Sequence, residues 1–466
     1  MAALPTSLPM PRPLHLSPLR LWALALLGLL TSCGDGEDVQ GKPAGGMRPP
    51  NVVVILLDTL RPDVLSFYGA KDERAPYLAK LAAEGTVFEN AFSTSTWTAP
   101  STASMLTGMY PDRHGVTRGF LAQFREGESV DENALKQMEL LAISSDVPTL
   151  AERFKQAGYR TFALASNVNI GPEMAFDRGF DEFERHDLQP AKLLTERLMA
   201  MRTRIEASDD PSFLYLHFND VHKPYQQRPR FYRPNEEREE TAEYLELYKS
   251  ELGYLDSFLG RIHQAMGFDD DTLIVVVADH GEEFREHGQL YHEFTLHVEL
   301  NHIPFLVRAP GLRVKPGRVW ENVSLIDVVP TIFDLIGQDA PSGLDGRSLA
   351  SFCRSEDKRQ GLQSESMALV QRPLILHRFE DGDHLWGVIL ENWKLIQSHL
   401  GVLLYDLETD PGEHNNLADT HKPLVQQLVA ILDGHRGRGS DPQSMRTQVD
   451  IDQDLLDRLK AIGYVK

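Results

Sequence analysis

Residues 94–108 read T-S-T-W-T-A-P-S-T-A-S-M-L-T-G. A Pro-Ser pair followed by small residues and M-L-T-G predicts a helix opening near Pro100 just after a strand, where an α/β hydrolase holds its nucleophile. The hydroxyl best placed to attack is that of Thr98. Ser101 is expected to cap the helix, because a serine oxygen accepts an orphan N–H of the first turn. The backbone N–H groups of Ala99 and Ser101 would then face an anion at the helix N-terminus. Acids stand at comparable places elsewhere. Asp58 ends N-V-V-V-I-L-L-D, Asp279-His280 ends T-L-I-V-V-V-A-D-H, and Asp220 lies just past Phe213–Phe218. Carboxylates and an imidazole brought round a hydroxyl make a reactive site, provided the chain folds so that these ends converge.

The elements that would bring them together are legible. Continuous apolar runs of strand length, such as those ending at Asp58 and Asp279, suit parallel strands buried on both faces. Phe213–Phe218 and Pro304–Val307 are further strands, and helical patterns cover Ala75–Glu84, Val147–Ala157 and Glu243–Gln264. Strands alternating with helices indicate an α/β fold, a large mostly parallel sheet sandwiched by helices. In such sheets the active site lies beyond the carboxyl ends of the strands. Residues 354–367 are polar and read as a linker. Beyond them H-L-W-G-V-I-L, W-K-L-I-Q and V-L-L-Y-D-L predict a small antiparallel C-terminal subdomain, and Lys422–Val465 a largely helical tail. The expected division is a catalytic domain over 50–353 and a C-terminal subdomain and tail over 368–466.

After N-V-V-V-I-L-L-D come P-Y-L-A-K-L-A-A-E-G-T-V-F-E-N-A-F, A-P-S-T-A-S-M-L-T-G-M-Y-P-D-R-H-G-V, A-G-Y-R-T, G-F-D-E-F and H-F-N-D-V-H-K-P-Y. A-D-H-G-E-E-F-R-E-H-G, D-V-V-P-T and L-Y-D-L-E-T-D-P-G-E-H-N-N-L-A then follow in order. This ordered set, from about Asn51 to Tyr464, resembles the sulfatase family of the alkaline phosphatase superfamily. The resemblance implies the alkaline phosphatase-like fold and a hydrolase acting on anionic esters.

The functional positions depart from the family pattern. The Cys or Ser that sulfatases oxidise to formylglycine is Thr98 here, and threonine lacks the primary carbon that becomes the aldehyde. The motif arginine is Thr102, and the second leading Asp is Thr59. The family's G-K-W-H segment is A-S-N-V at Ala165–Val168, and the late lysine is missing, with His292 close by. The remaining set of Asp58, Thr98, Asp279 and His280 is similar to the metal and nucleophile residues of threonine-using superfamily members, the nucleotide pyrophosphatase/phosphodiesterases and the lipid phosphotransferases. A divalent cation can lower the pKa of a threonine hydroxyl. The mixed oxygen and nitrogen donors suit zinc or manganese better than calcium, which prefers six to eight oxygens.

One ion or two are both open: the order Asp58, Thr98, Asp220…His222, Asp279-His280, His292 follows alkaline phosphatase, but a single residue separates Asp220 from His222. His222 or His292 would stabilise or protonate the leaving oxygen, and His222, Ser101 and Asn167 would touch substrate. His114, His217, His287, His297 and His302 are expected to be structural or rim residues. Phosphoester or phosphodiester cleavage is the leading expectation. The rivals are a sulfate ester hydrolase working without formylglycine and an inactive surface binding protein.

Composition narrows the setting. The net charge of -21 excludes a nucleic-acid partner, since that affinity rests on lysine and arginine meeting phosphates. Leu21–Leu30 is too short to span a bilayer and reads as the core of a signal peptide over 1–32. It ends in L-T-S-C, similar to a bacterial lipobox, which makes Cys33 the lipidated first residue of an exported, membrane-anchored protein. Residues 33–49 form a Gly-rich tether. Gly34 rather than Asp follows Cys33, favouring the outer membrane where one exists. Cys353 is the only other cysteine, so no intramolecular disulfide is expected.

Overall fold

The strand Val52–Leu57 (β1), V-V-V-I-L-L, is buried along its whole length, as an apolar run without alternation requires when both faces are covered. The computed structural model describes residues 49–119, 139–234, 239–292, 294–354, 363–379, 384–437, 446–448 and 457. The expected signal segment, Cys33 and all of the tether but its last residue lie outside the described residues. β1 sits within an eight-stranded sheet with Thr86–Phe92 (β2), Arg160–Ala165 (β3), Glu182–Arg185 (β4), Ser212–Phe218 (β5), Leu273–Val277 (β6), His302–Arg308 (β7) and Gly317–Ser324 (β8). The spatial order is β8-β2-β7-β6-β1-β5-β3-β4. β7 runs antiparallel to β2 and β6, and every other pairing is parallel.

β1, β5 and β6 are buried at every residue, so helices close both faces of the sheet. Pro76–Glu84 (α1), Ala191–Ile205 (α4) and Glu240–Met266 (α5) form one packed group. Thr98–Thr107 (α2), Leu150–Gln156 (α3) and Val328–Leu335 (α6) form the other. Local chemistry sets several of their ends. Thr149 and Glu152 make a reciprocal capping box that starts α3. Pro76 opens α1, and Asp256 of α5 accepts the N–H groups of Tyr77 and Leu78 at 2.9 Å each. α2 stops at Gly108, whose φ of 72° is the left-handed conformation a helix terminus favours.

The expected C-terminal subdomain is a four-stranded antiparallel sheet of Leu374–Arg378 (β9), Leu385–Leu390 (β10), Trp393–Ser398 (β11) and Gly401–Asp406 (β12). The helix Lys422–Arg436 (α7) packs on it through Leu428 and Leu432. This sheet belongs to the same compact unit, 47–466, as the larger one. Lys394 joins them: its Nζ lies 2.6 Å from Glu413 Oε1 and 3.2 Å from Asn301 Oδ1, and all three side chains are buried. Two elements were not expected. A helix, Gln363–Val370, starts within the polar linker and runs past its end, and the tail contributes a strand, Arg446–Gln448, paired with Glu139–Leu141. Polarity alone did not distinguish a helix from a linker, and pairing with a distant segment of the same chain set the short strand.

Candidate active site

Asp58, Asn167, Asp220, Asp279 and His280 stand just past the carboxyl ends of parallel strands. Asp58 follows β1, and its N–H donates to Phe218 O at 2.9 Å. His217 lies near the end of β5, with Asn219 and Asp220 just beyond it; Asp279 and His280 follow β6, and Asn167 follows β3. Thr98 opens α2 after the short loop that leaves β2. The neighbours β6, β1, β5 and β3 thus present their ends side by side, the placement expected for ligands of open α/β sheets.

One donor atom from each of Asp58, Asp279 and His280 lies within 4.8 Å of the others, and all three residues are buried. His280 Nε2 stands 3.3 Å from Thr98 Oγ1, 3.6 Å from Asp279 Oδ2 and 3.9 Å from Asp58 Oδ1. The His280 Nδ1 is 2.9 Å from the Gly281 carbonyl oxygen. That oxygen only accepts, so Nδ1 carries the hydrogen and Nε2 turns its lone pair to the cluster. Asp58 Oδ1 and Asp279 Oδ2 have no hydrogen-bond partner among the described residues. Burial, reinforced by the Asp279 charge, pushes the Asp58 carboxyl well above its ordinary range, and burial raises that of Asp279. Two buried carboxylates with unsatisfied oxygens, beside an imidazole lone pair, are costly unless a cation meets them. The donor set fits a divalent ion.

Two more histidines close the site. The His292 ring lies 4.7 Å from that of His280 and 4.9 Å from that of His222, centroid to centroid. His292 Nδ1 lies 2.7 Å from Glu282 Oε1, and Tyr225 donates its hydroxyl to Glu282 Oε2. Lys223 holds its ammonium 4.3 Å from the centre of the Tyr291 ring.

Comparison with known proteins gives this geometry a family. The sulfatase family model matches residues 50–338, and that of the N-sulphoglucosamine sulphohydrolase C-terminal region matches 285–436. The chain belongs to the sulfatase family. It is a hydrolase acting on ester bonds. Among curated relatives, the choline-sulfatase of Rhizobium meliloti is 24% identical, over 82% of this chain and 86% of its own. The N-acetylgalactosamine-6-O-sulfatase of Bacteroides thetaiotaomicron is 23% identical, over 88% and 98%. The phosphonate monoester hydrolase of Agrobacterium radiobacter shares the fold, with a TM-score of 0.62 and 19% identity over 83% of this chain and 96% of its own.

Within this sulfatase-family hydrolase, several expected residues take other places. Ser101 does not cap α2: the helix begins at Thr98 with Trp97 before it. Its hydroxyl donates to the Ser95 carbonyl at 2.8 Å and its N–H bonds Trp97 O, so neither faces a ligand. Thr98 and Ala99 remain as the first-turn N–H groups, since Pro100 has none. Asn167 does not face outward either. Its Nδ2 donates to Asp58 Oδ2 at 2.7 Å and to Asn219 Oδ1 at 3.0 Å, holding the carboxylate from behind. Asp220 is not brought to the cluster, because both its oxygens accept the Ala191 N–H at the start of α4. Thr59 also turns away, donating Oγ1 to Val221 O at 2.8 Å from a backbone φ of 59°. His217, expected as a structural or rim residue, lies fully buried with Nε2 3.5 Å from Asp58 Oδ2. Strand alternation held the signal for it, since Tyr215, His217 and Asn219 fall on one face of β5 as it runs out beside Asp58. Glu282 and Tyr225 carried no local signal.

Proposed function

We propose that this sulfatase-family hydrolase cleaves anionic esters by attack of Thr98 Oγ1 on a tetrahedral phosphorus or sulfur centre, with phosphoesters and phosphodiesters favoured. The observation that carries the reading is the Thr98 hydroxyl 3.3 Å from His280 Nε2, at the edge of the Asp58, Asp279 and His280 cluster. Those three residues with Thr98 would hold one divalent ion, zinc or manganese rather than calcium. When bound, that ion supplies the positive charge that lowers the pKa of the hydroxyl and screens the substrate anion.

The chain's own residues supply the rest. The N–H groups of Thr98 and Ala99 meet the non-bridging oxygens at the start of α2. Asn167 fixes Asp58, and an imidazole opposite Thr98, His222 or His292, protonates the leaving oxygen. The reading favours phosphorus because Thr98 cannot give formylglycine, and because Thr102, Ser166 and Val168 stand where the family's cationic sulfate contacts would be. A second reading, sulfate ester hydrolysis by the same threonine, draws support from the sulfate-ester names of the curated relatives. The same proposal places the enzyme at the cell envelope on a lipid attached to Cys33.

The test is a panel of p-nitrophenyl phosphate, bis-phosphate, phosphonate and sulfate esters assayed with Zn²⁺, Mn²⁺ and Ca²⁺. Turnover of the phosphorus esters with Zn²⁺ or Mn²⁺ is expected. Turnover of the sulfate ester alone would replace the leading reading with the second.

A further inference from the structure

We infer that His287 is a pH-sensitive latch, closed by one proton shared with Glu299, that holds the loop after β12 against a hairpin of the catalytic domain. The hairpin pairs Glu283–Phe284 with Leu290–Tyr291. At its turn His287 Nδ1 lies 2.6 Å from Glu299 Oε1, and Nε2 lies 3.1 Å from the Glu413 carbonyl oxygen. Glu299 belongs to the short helix Val298–Asn301 before β7, and Glu413 to the loop between β12 and α7. Three segments distant in sequence thus meet at one imidazole.

The distances fix the proton count. A carbonyl oxygen only accepts, so Nε2 carries a hydrogen. A neutral ring would then turn a bare Nδ1 lone pair to an ionised carboxylate, two acceptors 2.6 Å apart. A proton therefore lies between them, one more than a neutral histidine beside a glutamate would hold. Burial alone would lower the His287 pKa, but the hydrogen bond and charge of Glu299, with those of Glu413, hold it above the usual histidine value. Glu283 Oε1 accepts the His287 and Gln289 N–H groups at 3.0 and 2.7 Å, and burial raises its carboxyl. His297 stacks on the His287 ring, 3.7 Å between centroids and 9° between planes, and burial pushes it down to about 3, so it stays neutral. The His414 ring stands 5.5 Å away, and Lys394 reaches Glu413 Oε1 from β11 at 2.6 Å. One donor atom from each of His287, His297 and Glu299 lies within 4.8 Å of the others. Stacked rings keep their lone pairs in parallel planes, however, so the two histidines do not converge on one ion.

Loss of the proton sets a carboxylate against a lone pair, and the contact opens. The hairpin then loses an anchor at its turn. Arg285 and Tyr291 on it have φ of 71° and 75°, conformations that residues other than glycine keep only where surrounding contacts over-determine them. Tyr291 adjoins His292, so the opening reaches the edge of the candidate active site. The folded protein keeps on His287 a proton that the unfolded chain releases near pH 6.5. The stabilisation is full below that pH and is lost as pH rises through the higher folded value.

The test follows urea unfolding and amide hydrogen exchange of the full-length protein from pH 6 to 9. In the wild type the unfolding equilibrium constant should rise by up to about 10-fold per pH unit above 6.5. The Val298 N–H, which donates to Glu413 Oε2 at 3.2 Å, and the amides of 410–416 should exchange faster than base catalysis alone accounts for. Glu299→Gln offers an amide hydrogen to the Nδ1 lone pair, so the contact closes without the extra proton. Both readouts should then lose that proton's share of their pH dependence. Lys394, whose pKa burial lowers, titrates in both proteins and cancels in the comparison. His287→Gln carries no titrating ring, and the same amides should exchange fast already at pH 6. If His287→Gln does not fold, the comparison of Glu299→Gln with wild type decides alone. Equal pH dependence in those two proteins would overturn the latch, as would metal analysis that finds an ion lost in His297→Phe.

Discussion

In the proposed reaction Thr98 acquires its chemistry from neighbours that approach from different strands, and single substitutions should separate their roles. Asn167 reaches Asp58 Oδ2 at 2.7 Å from the end of β3, the kind of contact that orients a metal-binding carboxylate. Asn167→Ala should weaken Zn²⁺ affinity about 10–100-fold in a competition with chelator while leaving the fold intact. Unchanged affinity would mean that Asp58 is positioned by the strand alone. Asp58, Thr98, Asp279 and His280 were legible in the sequence because each falls at the end of an apolar run or the start of a helix, where the fold class itself predicts a site. The orientation of Asn167, Asp220 and Ser101 was not, because Asn167 and Asp220 bond to partners from distant segments and Ser101 turns back onto Ser95 and Trp97. Position relative to a strand end says nothing about which way a side chain turns.

At the scale of elements, buried charges tie helices and sheets together. Asp256 of α5 holds the first turn of α1, and burial pushes its carboxyl up to about 7. A carboxyl raised above its unfolded value binds a proton in the folded state that the unfolded chain has lost. Its contribution is full below the unfolded pKa of about 4 and is lost as pH rises toward 7. Asp256→Asn should therefore flatten the fall in stability between pH 4 and 7 by about 1.4 kcal/mol per pH unit, read from urea unfolding at several pH values. An unchanged slope would show that the two N–H bonds keep the group ionised. Between the sheets, Lys394→Met would leave Glu413 buried without its partner and should cost about 3–5 kcal/mol. β1, β5, β6 and β7 of the large sheet, β10, β11 and β12 of the small one and the helices α1, α3 and α5 were legible from apolar runs and periodicity, whereas β2, β3, β4, β8 and β9 were not singled out. The helix at Gln363–Val370 and the strand at Arg446–Gln448 were not, since neither has a strong apolar pattern of its own.

At the scale of the whole molecule, the lipid anchor proposed for this ester hydrolase of net charge -21 rests on the L-T-S-C that ends its first apolar run. No helix among the described residues is long and apolar enough to cross a membrane. The proposed attachment through the lipobox-like L-T-S-C makes a definite prediction. Radiolabelled palmitate fed to expressing cells should label the wild-type protein, and Cys33→Ser should abolish both the label and sedimentation with membranes; label retained in that variant would reject the anchor. The sulfatase fold and the family's chain order were readable throughout, yet the residues at the centre of the site argue for a different nucleophile from the one the family uses. That claim is tested most directly by acid-quenching the Zn²⁺-loaded enzyme during turnover of p-nitrophenyl phosphate and mapping its peptides by mass spectrometry. The account predicts a phosphoryl group on Thr98, absent from Thr98→Ala, which should also be inactive. Full turnover with residues 94–108 unmodified, together with an active Thr98→Ala, would contradict it.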